Sequence, residues 1–338
     1  MKYIKFFIIV MLSILFATAC STKTDNKEKN IEKSEPIVPV KKVQIVDTDS
    51  NLRPVAVMIN THKNARPQSG LKSAYIVYEL MVEGGITRML AIYTQDSNES
   101  KIGSIRSSRH NYLDYAMEND AIYVHWGGSD YAYDDIKKLK IDHIDGMVYG
   151  SKYFITDKNL NRSIEHTRFT SSSMIKEAVS KLKIRTTTDN GWLLKYTTDV
   201  VDLSQKENSK EANKITIKYS NYQTVSYEYN SEEQTYYRFM SGAKHTDLVT
   251  GEQYKFKNII AYKVQYKTIS NHGHQDLQNV GSGEGVYITN GYSIPIKWSK
   301  KDRSSKTVYT YMDGTEIEFS DGNTFIQIYP TTGSITIS

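Results

Sequence analysis

"AYIVYELMVEGGITRMLAIYT", residues 74–94, decides the fold class. Two runs rich in β-branched, aromatic and aliphatic side chains flank Glu83, Gly84 and Gly85, a pattern that predicts a β-hairpin. Working outward, VAVMI (55–59) and AIYVHW (121–126) are short apolar runs suited to buried strands. Helical spacing takes over between and after them. Ser107 or Ser108 stands where it would cap a helix with Leu113, Ala116 and Met117 on one face. Ser129 precedes DYAYDDIKKLK, and a last helix is expected from Ser171 towards Ile184. Strands and helices mixed without strict alternation predict a mixed α/β layer in this half.

The pattern changes near residue 214. KITIKYS (214–220), TVSYEYN (224–230), TYYRFMS (235–241), GVYITN (285–290) and TFIQIYP (324–330) are short, mostly alternating, and rich in Tyr, Thr and Ile. Asn290-Gly291, Asp313-Gly314 and Asp321-Gly322 supply the positive φ angles that tight hairpins need. This half is expected to be β-rich and mainly antiparallel, so the whole chain reads as α+β. Sheet packing accounts for most of the 26 tyrosines, with an aromatic carbohydrate platform as the alternative use.

The N-terminus is a different kind of segment. Lys2 and Lys5 precede an apolar run, Phe6 to Ala19, that is short of the roughly 20 residues of a membrane span. The only cysteine, Cys20, follows Ala17-Thr18-Ala19, so no internal disulfide can form. Diacylglyceryl transfer to Cys20 explains a lone thiol there, although Ala17 stands where a lipobox usually has leucine. Residues 1–20 are therefore read as a lipoprotein signal and 21–50, polar with mixed charge, as a disordered tether. A 51–190 α/β domain, a polar 191–213 junction and a 214–338 β-rich domain complete the expected organisation. The expected address is the extracytoplasmic face of the cell membrane.

The formal charge of +5 falls to +3 once Lys2 and Lys5 leave with the signal. That is too mild a balance for nucleic-acid binding, and no basic-aromatic motif accompanies it. Attraction to an anionic envelope polymer remains open.

Candidate chemistry gathers between Glu83 and Gly128. Arg106, Ser107 and Arg109 open a predicted helix after Gly103, where free N–H groups and guanidiniums would cradle an anion. The competing reading has Arg106 and Arg109 paired with Glu79, Glu83 or Asp114. Glu79 and Glu83 are spaced to share a strand face, for acid/base work or as partners of Arg88 and Arg106. His125 ends a strand before Trp126-Gly127-Gly128, a place where active sites of layered folds form. His166 lies in Arg162-Ser163-Ile164-Glu165-His166-Thr167. The set for an anion is thus Arg66, Arg88, Arg106, Ser107, Arg109, His125 and His166, with Glu83 and His125 as catalytic candidates. There is no Ser-centred elbow and no usable cysteine nucleophile. His272-Gly273-His274 with Asp276 is the only close histidine pair, without a compact third cluster, so no metal and no cofactor is expected.

Several motifs, taken together, carry a family likeness: RPVAVMIN (53–60), ARPQSGL (65–71), Glu83 to Arg109, YVHWGGS (123–129), GAKHTDLVTG (242–251), GSGEGVYITNG (281–291), IKWSK (296–300) and TFIQIYP (324–330). In this order they resemble the YerB-like lipoproteins of Gram-positive bacteria. The resemblance spans about 51–330. It implies a lipid-anchored, two-domain extracellular protein, and it matches at Arg66, Glu83, Arg88, Arg106, Arg109, His125, His166, His245 and Asp247. It implies no catalytic assignment. A looser likeness links 86–110 to the LytR-CpsA-Psr enzymes that move glycopolymers to the wall. The acid opposite their first arginine and the proline before their last are missing here. The leading expectation is a binding or scaffold lipoprotein recognising an anionic ligand or protein partner. The alternative is an envelope enzyme acting on phosphate-linked glycan or peptidoglycan precursors.

Overall fold

The computed structural model describes residues 41–338. The signal, Cys20 and residues 21–40 lie outside the described residues; residues 41–50, expected to belong to the tether, lie against the fold, with Val46 buried and the Gln44 and Ile45 N–H groups donating to the Asp321 carboxylate. The hairpin forms as expected: strands β2 (Ile76–Met81) and β3 (Thr87–Tyr93) pair antiparallel, with Tyr78 opposite Leu90. Gly84 and Gly85 both adopt φ of +71°, which a Cβ would oppose, and this allows the short turn through Glu83. β1 (Val55–Asn60) flanks β3 antiparallel, and β4 (Ile122–His125) and β5 (His143–Asp145) extend the sheet parallel to β1.

On the other side the sheet continues into the second half of the chain. After β6 (Asn258–Val264), β7 (Gly281–Thr289) and β8 (Tyr292–Lys300) comes β9 (Thr324–Pro330), which inserts between β2 and β6 and runs parallel to both. β6, β7 and β8 follow as an antiparallel meander. Lys210–Glu211 and Val308–Tyr311 complete eleven strands by pairing with β8. All seven residues of β9 are buried, because a central strand between two parallel neighbours is covered on both faces. Its alternation was thus only part of its pattern.

Each strand divides its side chains between two cores. One face presents Val55, Val57, Ile59, Val77, Met89 and Ala91. It packs against helix α3 (Ser172–Leu182) and against a second, antiparallel sheet that includes Lys214–Lys218, Thr224–Asn230, Thr235–Met240 and Ser334–Ile337. The opposite face, with Met58, Tyr78, Leu80, Leu90 and Ile92, lies under α1 (His110–Glu118) and α2 (Asp130–Lys138). Each such side chain contributes about 1.5–3 kcal/mol by leaving water.

Helix starts were partly legible. Ser129 and Ser171 cap α2 and α3, their hydroxyls accepting from Ala132 N and Met174 N. α1 corrects the expectation: its N-cap is Arg109, and the Ser108 hydroxyl instead accepts from Tyr123 at 2.8 Å.

Two fully buried ion pairs cross from the first half of the chain to the second, one on each face. Glu79 accepts from Arg238 at 2.6 Å and Glu118 from Lys300 at 2.6 Å. Thr87, Gln223 and Gln327 donate to the remaining lone pairs of Glu79, and Thr307 to Glu118. A charge taken out of water needs that degree of satisfaction.

Candidate functional site

β1, β2, β4 and β5 point the same way, so their carboxyl ends form one rim, joined by the start of antiparallel β3. Asn60, Glu83, Arg88, His125 and Asp145 arrive there from five strands. The 104–109 segment lies across them: Ser104 O accepts from Asn60 N and Arg106 O from Trp126 N. The sheet thus brings most of the anticipated residues to one edge, but into three separate groups.

The first group is Glu83, Arg88 and Arg109. Glu83 receives both guanidiniums, Arg88 at 3.0 Å and Arg109 through Nε at 2.9 Å and a second bond from its terminal nitrogen. Arg88 also donates to Ser107 O and Arg109 to Ser108 O. Burial raises the Glu83 carboxyl, but its hydrogen bond from Arg109 and the charge of Arg88 more than offset this and hold it at about 2. Burial and neighbouring Arg109 lower Arg88 to about 10. The competing reading fits Arg109, which pairs with Glu83, and not Arg106, which meets none of Glu79, Glu83 and Asp114; Arg88 and Arg109 are spoken for, and Glu83 is a poor proton donor.

The second group surrounds His125, which is fully buried. Its Nδ1 lies 2.7 Å from Gly127 O and its Nε2 2.9 Å from His143 Nδ1. Burial drives its pKa down to about 4 against the opposing pull of Asp145. Asp145 itself accepts from Tyr133, Gly127 N and Met147 N. With both ring nitrogens engaged and no exposure, His125 braces the 125–129 turn, and its candidacy as an acid/base is weakened.

The third group is different. His166 stacks on His62, rings 4.9 Å apart, and accepts from Asn60 at 2.9 Å. Arg106 reaches Glu165 only at 3.9 Å. Arg66 donates to Thr61 O and the Gln223 amide, and Arg162 to the carbonyls of Ala65, Arg66 and Pro67. Among the described residues neither Arg66 nor Arg162 has a carboxylate within salt-bridge distance; Glu79 acts on Arg66 and Asp157 on Arg162 from farther off, while Glu165 lies near Arg106 and 3.5 Å from His166. Both histidines are held below their ordinary range, by burial first and then by surrounding cations; Lys63, Arg106 and Arg66 act on His62. His62, Asn60, Arg162 and Glu165 were not singled out from the sequence. Arg162 and Glu165 lay in the motif that held His166, and their spacing gave no reason to bring them to Arg106.

A chain of hydrogen bonds joins this group to the buried pair: Arg238 to His245 (2.5 Å), His245 to Gln68 (2.8 Å), Gln68 to Asn60 O (2.8 Å), and Asn60 to His166. The His272–His274 rings lie 6.0 Å apart, and Asp276 turns away to His110 at 3.0 Å. Among the described residues no three His, Cys, Asp or Glu side chains converge as a metal site.

Fold and rim define an α+β protein whose large mixed sheet, backed by a second antiparallel sheet, has a cationic edge. Residues 43–185 match the N-terminal domain, and 215–326 the C-terminal domain, of DUF3048, a protein family of unknown function. The chain is 30% identical over 293 residues to YerB of Bacillus subtilis (strain 168), which its name describes as a candidate lipoprotein, covering 85% of this chain and 84% of that one. The crystal structure of Bacillus subtilis YerB superposes with a TM-score of 0.73 at 29% identity, over 85% of this chain and 94% of that one. The chain belongs to the DUF3048 family of YerB-like proteins.

Proposed function

We propose that the protein is a lipid-anchored, extracytoplasmic binding protein of the cell envelope that captures a phosphate-bearing anion at the rim formed by Arg66, Arg106, Arg162, His62 and His166. The anchor is Cys20, supported by the lipobox-like sequence and by the name of the YerB relative. One observation carries the ligand class: around the stacked His62–His166 pair stand Arg66, Arg106 and Arg162, and among the described residues none of the three has a carboxylate nearer than the 3.9 Å contact of Arg106 with half-exposed Glu165. Guanidinium forks match phosphate oxygens geometrically, and a loose 3.9 Å contact leaves Arg106 free to turn to a guest. Arg88 and Arg109 hold the neighbouring turn in place and are not ligand groups.

Calorimetric titration of the purified chain with pyrophosphate tests the reading. Saturable binding is expected, weakened at least tenfold by Arg106→Glu and unchanged by Lys300→Arg at the distant seam. Absence of binding, or equal binding by Arg106→Glu, overturns it. The anchor is tested separately: Cys20→Ala is expected to move the protein from the membrane to the soluble fraction and to abolish incorporation of labelled palmitate.

A further inference from the structure

The same rim carries a second, unexplained feature. Large apolar side chains stand in water there: Met147 is 66% exposed, Val148 69%, Ile164 63% and Tyr222 77%. Among the described residues only Val200 and Val249 exceed half exposure besides these four. They follow the rim in sequence of contact. Met147 lies against Gly127, Gly127 against Ser107, Arg106 reaches Glu165 beside Ile164, and Tyr222 packs at Gly85. Exposed Lys63 and Lys152 add to the cations.

Resting on the anion reading above, we infer that this rim is a docking face for an anionic phospholipid surface, with Arg106, Arg66 and Lys63 meeting headgroup phosphates and Met147, Val148, Ile164 and Tyr222 entering the interface. Charge complementarity selects the occupant. Basic groups near an anionic bilayer each strengthen binding, while exposed aliphatic and aromatic tips gain only where an apolar layer is at hand. A soluble phosphate would use the arginines and leave the apolar tips without purpose. The reach is adequate: the 22 residues from Cys20 to Lys41 span up to about 70 Å when extended. That exceeds the roughly 20 Å of a six-residue strand that separates the base of the sheet from its rim.

Lipidation of Cys20 leaves the chain without another thiol, so single cysteines can be placed at will. The lipidated full chain carrying Met147→Cys, labelled with an environment-sensitive fluorophore, is placed on vesicles of phosphatidylcholine alone or with phosphatidylglycerol. An Asn190→Cys probe near the start of β1 serves as reference. The expected result is a blue shift and quenching by a lipid-phase quencher at position 147 on the anionic vesicles alone, reversed by high salt, with position 190 remaining aqueous. Lys63→Glu with Arg106→Glu is expected to lower the docked fraction, roughly fivefold for each basic residue lost. An aqueous probe on anionic vesicles overturns docking while intact pyrophosphate binding keeps the anion reading; loss of both removes both. Equal burial on neutral vesicles, or burial in lipid-free solution through self-association, also overturns the proposal.

Discussion

The seam and the rim hold the same kinds of residue and use them in opposite ways. At the seam Glu79 and Glu118 have no exposure, and each meets its cation at 2.6 Å with further donors completing the carboxylate. At the rim Arg66 and Arg162 end on carbonyls and an amide, and Arg106 on a contact of 3.9 Å. A buried charge must be matched internally because desolvation is costly, whereas a rim charge can wait for a partner in water. The seam is therefore architecture, and its full satisfaction leaves it no capacity for a ligand. The rim is where the molecule has capacity left.

If that contrast is right, the largest effects come from the seam. Arg238→Met leaves the Glu79 carboxylate buried among hydroxyl and amide groups. It is expected to cost about 3–5 kcal/mol in urea denaturation. Replacing Glu79 by Gln in the same chain should return much of this, since the uncompensated charge is then gone. A cost below about 1 kcal/mol for Arg238→Met would break the comparison.

Next comes acidity. His125 titrates at about 4 when folded and, unfolded, near 6.5. Between those values the unfolded chain holds a proton that the folded chain does not, so stability falls as pH drops from about 6.5 to 4 and the effect levels off below. Its size is at most about 3 kcal/mol. His245, lowered well below its ordinary value by burial and by Arg238, acts in the same direction. Urea midpoints at pH 7.5, 5.5 and 4.5 would measure the slope, and His125→Gln should flatten part of it. Glu83 contributes over a lower window: its stabilisation is full above about 4.5, declines as pH falls from there, and is gone below about 2.

Much of this molecule was legible before the structure, and the exceptions have physical causes. The hairpin, the Ser129 and Ser171 caps and the β-rich second half follow from local periodicity and capping chemistry. The position of β9 does not, because a strand pairing parallel with residues some 250 positions earlier leaves no local mark beyond its apolar run. Side-chain partners are likewise invisible to spacing. Glu83 could have served Arg88, Arg106 or Arg109, and only the path of the 104–109 loop decides that it takes the first and third. Of the residues chosen from sequence, Arg106 lies near His166, while the Arg66 guanidinium is held by Thr61 O and the Gln223 amide. His62, Arg162 and Glu165 were missed because the loops that carry them converge only in space.

Glu83→Gln probes the boundary between the two regimes. The substitution removes the carboxylate shared by Arg88, which is nearly fully buried, and Arg109, so about 2 kcal/mol of stability should be lost. Binding of pyrophosphate should survive or strengthen, because two guanidiniums beside the third group would gain freedom. A fold loss without any gain in anion affinity would mark this pair as belonging wholly to the architecture.

The smallest expected effect on stability is the most telling about function. Arg106→Glu breaks only a 3.9 Å contact with a half-exposed glutamate, so the melting curve should shift by no more than about 0.5 kcal/mol. The same change reverses the charge beside the stacked His62–His166 pair and should raise the histidine pKa values by removing a nearby cation. NMR titration of the two imidazoles reads that rise directly. An unmoved melting curve with raised histidine titrations and lost anion binding would separate ligand capture from folding at a single residue. A destabilisation as large as that of Arg238→Met would instead place Arg106 with the seam, and the rim would have no uncommitted guanidinium at its centre.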